Sequence, residues 1–209
     1  MKVHRRSGFS LIEVMIAITM LGVIAGSIAL VTRSSSKAFS TAASAAEVET
    51  QAHRAMQQIK DLVKGSVSTL VNPTPASPFN TEQITFQRAT GYVAGAPVAD
   101  LPEQILLEYM PGEVDDGIDN NGNGHADEGQ VVWIRTDGTR VVLVKYVREY
   151  LEGEAFNLVD DNGNGLDNER GFCMDFDGNT VNVRLTIERR NDQGIRLTST
   201  VESAISFRN

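Results

Sequence analysis

The sequence predicts an α+β protein: one long N-terminal helix, transmembrane in its first half, packs by its second half on an antiparallel β-sheet with long acidic loops. Three observations predict it. An almost unbroken apolar run extends from Phe9 to Thr32, a second stretch repeats its apolar residues at helical spacing, and the rest divides into short runs rich in Val, Ile and Thr. With 209 residues, 41% of them apolar and 22% charged, the chain is long enough for one domain with a proper core and an appendage.

The first element is the apolar run. No charge occurs from Val14 to Thr32, which is 19 residues, and counted from Phe9 a helix would extend about 36 Å, enough to cross a bilayer. Lys2, Arg5 and Arg6 precede it, so the positive-inside bias places residues 1–8 in the cytoplasm and the chain beyond about Arg33 outside. A secretory signal has a shorter apolar core ending in an A-x-A-like site, and neither feature is present. A plain anchor fits the length but leaves Glu13 unexplained, because an ionised side chain costs about 2.5 to 3.5 kcal/mol at the bilayer centre and less near a helix end.

A short basic leader ending in Gly8, followed by FSLIEVMIAITML, closely resembles the signal of type IV prepilins and of type II secretion pseudopilins. The resemblance covers about the first 30 residues. It implies that a prepilin peptidase cuts after Gly8, that the new N-terminal Phe9 is methylated, and that Glu13, fifth in the mature chain, docks the subunit by pairing with the terminal amine of a neighbour. Two opposite charges attract strongly in a low dielectric, whereas one alone is costly. The implied fold is pilin-like, and the implied partners are other pilin or pseudopilin subunits and the inner membrane. Many major pilins carry a proline later in this helix and a C-terminal disulfide; here no proline occurs before Pro73 and Cys173 is the one cysteine. Both departures direct the resemblance to a minor pilin or pseudopilin, and the ending SFRN is similar to minor pseudopilins of the J type. The expected organisation is a leader at 1–8, a transmembrane half-helix at 9–32, an amphipathic half-helix at 33–64 and a periplasmic or extracellular domain at 65–209.

In the amphipathic half, Val48, Ala52, Ala55, Ile59 and Leu62 recur at spacings of four and three, with Glu47, Glu49, Arg54 and Lys60 largely off the stripe. Gly65 and Ser66 read as stop signals, and NPTPASP, holding three of six prolines, as a linker. Strands are expected in EQITFQR, QILLEYM, VVWIRT, RVVLVKYVRE, TVNVRLTIER and IRLTSTVESAISF. Asp137-Gly138 and RNDQG supply hairpin turns.

Two loops, at 113–129 and 154–171, repeat each other at an offset of 41 residues. Asp119, Asn121, Gly122, Asn123, Gly124 and Glu128 superpose on Asp160, Asn162, Gly163, Asn164, Gly165 and Glu169. Alternating oxygen-bearing side chains separated by glycines suit Ca²⁺, a hard cation that takes six to eight oxygens around a sharply turned chain. Neither loop contains sulfur, and His125 is the one histidine, so zinc and copper are disfavoured. Each loop has six acids and no base, counted from Glu113 to Glu128 and from Glu152 to Glu169. Started at Asp119 or Asp160, the EF-hand template fits at positions one, three, five and six, with Asp127 or Asn168 at nine. It fails at twelve, where Gln130 and Gly171 stand, and the flanks read as strands. The loops look more like the D-x-[DN]-x-[DN]-G-x-x-[DN]-E loops of secreted calcium proteins. The candidate ligands are Asp116, Asp119, Asn121, Asn123, Asp127 and Glu128, and Asn157, Asp160, Asn162, Asn164 and Glu169, with Asp115, Asp161 and Asp167 as second choices. One ion in each loop or one shared between them both fit the pattern, as do plain Asn-Gly turns with solvated carboxylates.

The balance of 27 acids against 19 bases gives a formal charge of −8, and loss of the leader takes it to −11. A phosphate backbone would be repelled, so nucleic acid is not expected as a partner. His4, His53 and His125 are the only histidines and form no nucleophile-base-orienter set; Cys173 reads as a small buried residue. The reading is therefore a structural subunit, not an enzyme. An uncleaved, membrane-anchored calcium-binding adhesion domain is the alternative; it predicts that residues 1–8 persist and that Glu13 is dispensable.

Overall fold

A computed structural model describes residues 8–72, 80–177 and 180–207. The leader before Gly8 and most of the proline-rich linker lie outside the described residues. By its internal contacts the chain divides into Met1–Ala43 and Ser44–Asn209.

The first unit is helical from Leu11, where α1 (Leu11–Val63) begins. Every residue from Gly8 to Ser40 is exposed. A helix apolar on all sides satisfies the hydrophobic effect only by burial in something other than its own chain, and this one is long and apolar enough to cross a membrane. Its few hydroxyls are already paired within the helix. Thr19 donates to the Ile16 carbonyl, Ser27 to Val23 and Thr32 to Ile28, at 2.8 to 2.9 Å, so none enters an apolar surrounding unsatisfied.

In the second unit the end of α1 buries Val48, Ala52, Ala55, Met56, Ile59 and Val63. The expected stripe is correct except at its end, where Val63 takes the core position and Leu62 is half-buried. Ten strands follow: β1 (Asn80–Thr81), β2 (Gln83–Phe86), β3 (Ala89–Val93), β4 (Ala96–Ala99), β5 (Glu103–Tyr109), β6 (Gly129–Ile134), β7 (Arg140–Val147), β8 (Phe172–Asp177), β9 (Thr180–Arg190) and β10 (Arg196–Ser206). All described pairings are antiparallel. The main sheet runs β1-β8-β9-β7-β6-β5-β2 with β10 also on β9, and β3-β4 forms a separate hairpin. Ile84, Phe86, Ile105, Val131, Phe172, Met174, Leu185 and Ile187 join the helix stripe in one core.

Both expected hairpin turns form, and in the same way. Arg135 pairs with Thr139 and Asn191 with Ile195 across three-residue loops that end in Gly138 and Gly194, each at positive φ. The six expected strands all form. Four further strands, β1, β3, β4 and β8, lie outside the six expected; Gly91, Gly95 and Pro97 weaken the strand signal of β3 and β4, and the run FCMDFD of β8 lacks clean alternation.

The topology places both acidic loops at one level of the sheet. β10 covers one edge of β9 along its whole length, so β7 and β8 share the other edge, with Val147 opposite Ile187 and Phe172 opposite Leu185. Residues 148–171 are thus an excursion that leaves and rejoins the same edge. Thr186 holds both ends: its carbonyl accepts Arg148 N–H at 3.0 Å, and its N–H donates to the Gly171 carbonyl at 2.7 Å. Gly129, where the other loop ends, pairs with Val147, where this one begins.

Candidate functional site

At the N-terminus Ser10 caps α1, its side-chain oxygen accepting the Glu13 N–H at 3.3 Å and its carbonyl accepting the same group at 3.1 Å. Glu13 therefore stands in the first turn, four residues after Phe9, with its carboxylate exposed and unpaired among the described residues. The helix dipole favours an acid there by about 0.3 to 1 kcal/mol. That is less than the cost of the charge at the bilayer centre, a cost that falls toward a helix end such as this one.

The two acidic loops have one backbone conformation. Gly122, Gly124 and Asp127 have positive φ, as do Gly163, Gly165 and Asn168; Gly117 at φ 75 is matched by Leu158 at 58. In the first loop Asp119 accepts N–H bonds from Gly122, Asn123 and Gly124 at 2.7 to 3.0 Å. In the second Asp160 accepts those of Gly163, Asn164 and Gly165 at 2.6 to 3.1 Å. These donors, that of Gly165 first, hold the Asp160 carboxyl below its ordinary value. Asn121 and Asn123 both direct their amide NH₂ at Glu128 Oε1, and Asn162 and Asn164 both at Glu169 Oε2. The structure thus brings Asp119, Asn121, Asn123 and Glu128 together, and likewise Asp160, Asn162, Asn164 and Glu169.

Asp127 and Asn168 serve a different place. Asp127 accepts the N–H groups of Asp116 and Gly117 at 3.1 and 2.8 Å, and Asn168 those of Asn157 and Leu158 at 2.9 and 3.0 Å. Asp116 and Asn157 then open each loop with an Asx turn onto Ile118 and Val159. Of the second choices, Asp161 bonds the Asn157 amide and Asp167 that of Asn168. Asp115 meets Asp127 and Glu149, their carboxylate oxygens within 4.8 Å of one another. Burial pushes the Glu149 carboxyl above its ordinary value, with Arg170 opposing and Asp127 and Asp115 adding to the shift.

Sequence reasoning missed Glu113 and Glu154. Each is buried and accepts a backbone N–H across its loop, Glu113 from Asn121 at 2.7 Å and Glu154 from Asn162 at 3.0 Å. It also missed Arg170, which donates to Tyr109 and Tyr150 and lies over both rings, joining the first loop's root to the second's. The signal was present: the offset of 41 extends upstream through Glu113 and Glu154 to Tyr109 and Tyr150.

The side chains gathered in each loop offer hard oxygen donors, the type a calcium ion takes. Two buried carboxylate oxygens, Glu128 Oε2 and Glu154 Oε2, have no hydrogen-bond partner, one in each loop, and a buried unpaired anion is strongly disfavoured unless a cation compensates it. The Oδ1 atoms of Asn121, Asn123, Asn162 and Asn164 accept the backbone N–H groups of Asn123, His125, Asn164 and Leu166, which fixes the turn that gathers these side chains. The flanking elements are strands, as expected, so these are not EF-hands. Cys173 is buried, and burial pushes its thiol well above the ordinary value, which disfavours the thiolate form.

Residues 3–29 match the model of the prokaryotic N-terminal methylation motif. No curated protein and no solved structure matches the chain. With that motif, the long apolar helix behind it and the antiparallel sheet that follows, the chain is consistent with the type IV pilin-like family.

Proposed function

We propose that the chain is a minor pilin or pseudopilin. It is a single-pass inner-membrane precursor with its N-terminus cytoplasmic and its C-terminal domain periplasmic, cut after Gly8 by a prepilin peptidase and methylated on Phe9. It assembles with other subunits into a type IV pilus or a type II secretion pseudopilus, and it is not an enzyme. The observation that carries this reading is register: the methylation motif spans residues 3–29, and within it Glu13 lies in the first turn of a helix whose residues from Leu11 to Ser40 are all exposed. Glu13→Ala should leave cleavage largely intact and impair assembly; normal incorporation into filaments would contradict the assigned role.

Calcium completes the reading as a structural ion in the acidic loops. The orphaned oxygens of Glu128 and Glu154 support it, and calcium outside the cytoplasm would stabilise the fold by mass action, by about 2.7 kcal/mol at a hundredfold excess over Kd. The full-length protein in detergent should melt higher in calcium than in chelator, and replacing Asp119 and Asp160 with Ala should abolish the difference. Equal melting temperatures for the unmodified protein would remove calcium from the account.

A further inference from the structure

The two loops share a backbone but differ in charge. Glu169 is 0% exposed, and its Oε1 accepts a bond from Arg184 Nη1 at 2.9 Å. The same guanidinium reaches Asp175 at 2.9 Å and Glu202 at 3.2 Å. Forty-one residues earlier, Glu128 is 3% exposed and its buried Oε2 has no partner at all. Among the described residues no lysine or arginine pairs with Glu113, Asp119 or Glu128. The Arg190 side chain approaches Gly124 without forming an ion pair with this loop. The first loop also has Asp127 where the second has Asn168, doing the same work on two backbone N–H groups with one more negative charge. Residues 113–128 therefore carry six acids against five in the aligned residues 154–169.

We propose that the loops are unequal cation sites: the 113–128 loop takes calcium as the counter-charge that Glu128 lacks, whereas the 154–169 loop carries part of its counter-charge in the protein, as Arg184. This rests on the calcium reading above. A buried carboxylate is compensated either by a paired side chain or by a metal. In the second loop an incoming Ca²⁺ would share Glu169 with a guanidinium and be repelled by it. The orphaned Glu154 Oε2 leaves that loop a weaker site. The loops thus fill in order, the first at low calcium and the second only when calcium is abundant.

Calorimetric titration of calcium into the chelator-treated full-length protein in detergent tests the inequality. Unmodified protein should show two sites at least tenfold apart in Kd. Glu128→Gln, or Asp119→Asn if that variant does not fold, should remove the tighter site, and Glu169→Gln only the weaker one. Arg184→Met should tighten the weaker site at least tenfold, a gain that misfolding would not produce. Two equal sites, loss of the tighter site in Glu169→Gln, or no gain in Arg184→Met would overturn the proposal. Absence of any calcium binding by the unmodified protein would instead overturn the calcium reading beneath it.

Discussion

The buried carboxylate of Glu113 accepts the backbone N–H of Asn121 at 2.7 Å, and Glu154 repeats the contact with Asn162 at 3.0 Å. Glu113 also accepts Asp127 N–H at 3.2 Å, so one side chain ties the start of its loop to the middle and the end. Glu113→Ala would leave both donors without their acceptor, costing about 1 to 3 kcal/mol. A fall in melting temperature in chelator as well as in calcium is expected. A fall confined to calcium would mean that Glu113 acts only through the ion.

Leu158 occupies a left-handed conformation, φ 58, where its counterpart is Gly117, and it is 75% exposed. An L-residue there carries about 1 to 2 kcal/mol of strain that glycine avoids; the greater freedom of glycine in the unfolded chain offsets part of this. Leu158→Gly should therefore stabilise the protein by about 0.5 to 1 kcal/mol in thermal or urea unfolding. Destabilisation would show that the leucine side chain makes a contact worth more than the strain.

Gly171 stands where the second loop rejoins the sheet, and a Cβ on it would lie 1.8 Å from the Arg148 carbonyl oxygen. Neither backbone can give way without breaking the bonds to Thr186. Gly171→Ala should cost more than about 4 kcal/mol, a size reserved for a few such mechanisms. Gly65→Ala, with nothing within 4 Å, is the control expected to be near neutral. Similar stability of the two variants in denaturant would contradict the packing.

The Asp137 carboxyl is held below its ordinary value by the backbone N–H of Thr139, with the Thr139 hydroxyl and Arg135 assisting. A depressed folded value means that the stabilisation is present above the unfolded value and is lost as pH falls through the folded one. The Thr139 amide resonance should therefore titrate at a pH below that of an ordinary aspartate. Titration at the ordinary value would show that the turn gains nothing from the charge.

Much of this was legible because the patterns are strong and local. The apolar run, the Val48-to-Ile59 stripe and the glycine-ended hairpins each follow from spacing alone, as does the repeat of Asp119 by Asp160. The Glu113 and Glu154 roles were legible only as a repeat at 41 residues, because nothing in the sequence shows that the chain folds back to bring a backbone N–H eight residues away onto each carboxylate. Arg184 was hidden for a similar reason: its partner Glu169 lies 15 residues away, and only the pairing of β8 with β9 brings them together. Asp127 illustrates the limit of residue type: the fold gives its oxygens to the N–H groups of Asp116 and Gly117 and also brings them within 4.8 Å of Asp115 and Glu149, a grouping that the spacing did not show.

The central claim, that this is a processed filament subunit, is tested most directly by the N-terminal mass of the protein expressed with and without a prepilin peptidase. The account predicts that co-expression yields a chain beginning at Phe9 and carrying one added methyl group, and that without the peptidase the leader remains. An intact Met1 in both preparations, or a cut near residue 30, would contradict it.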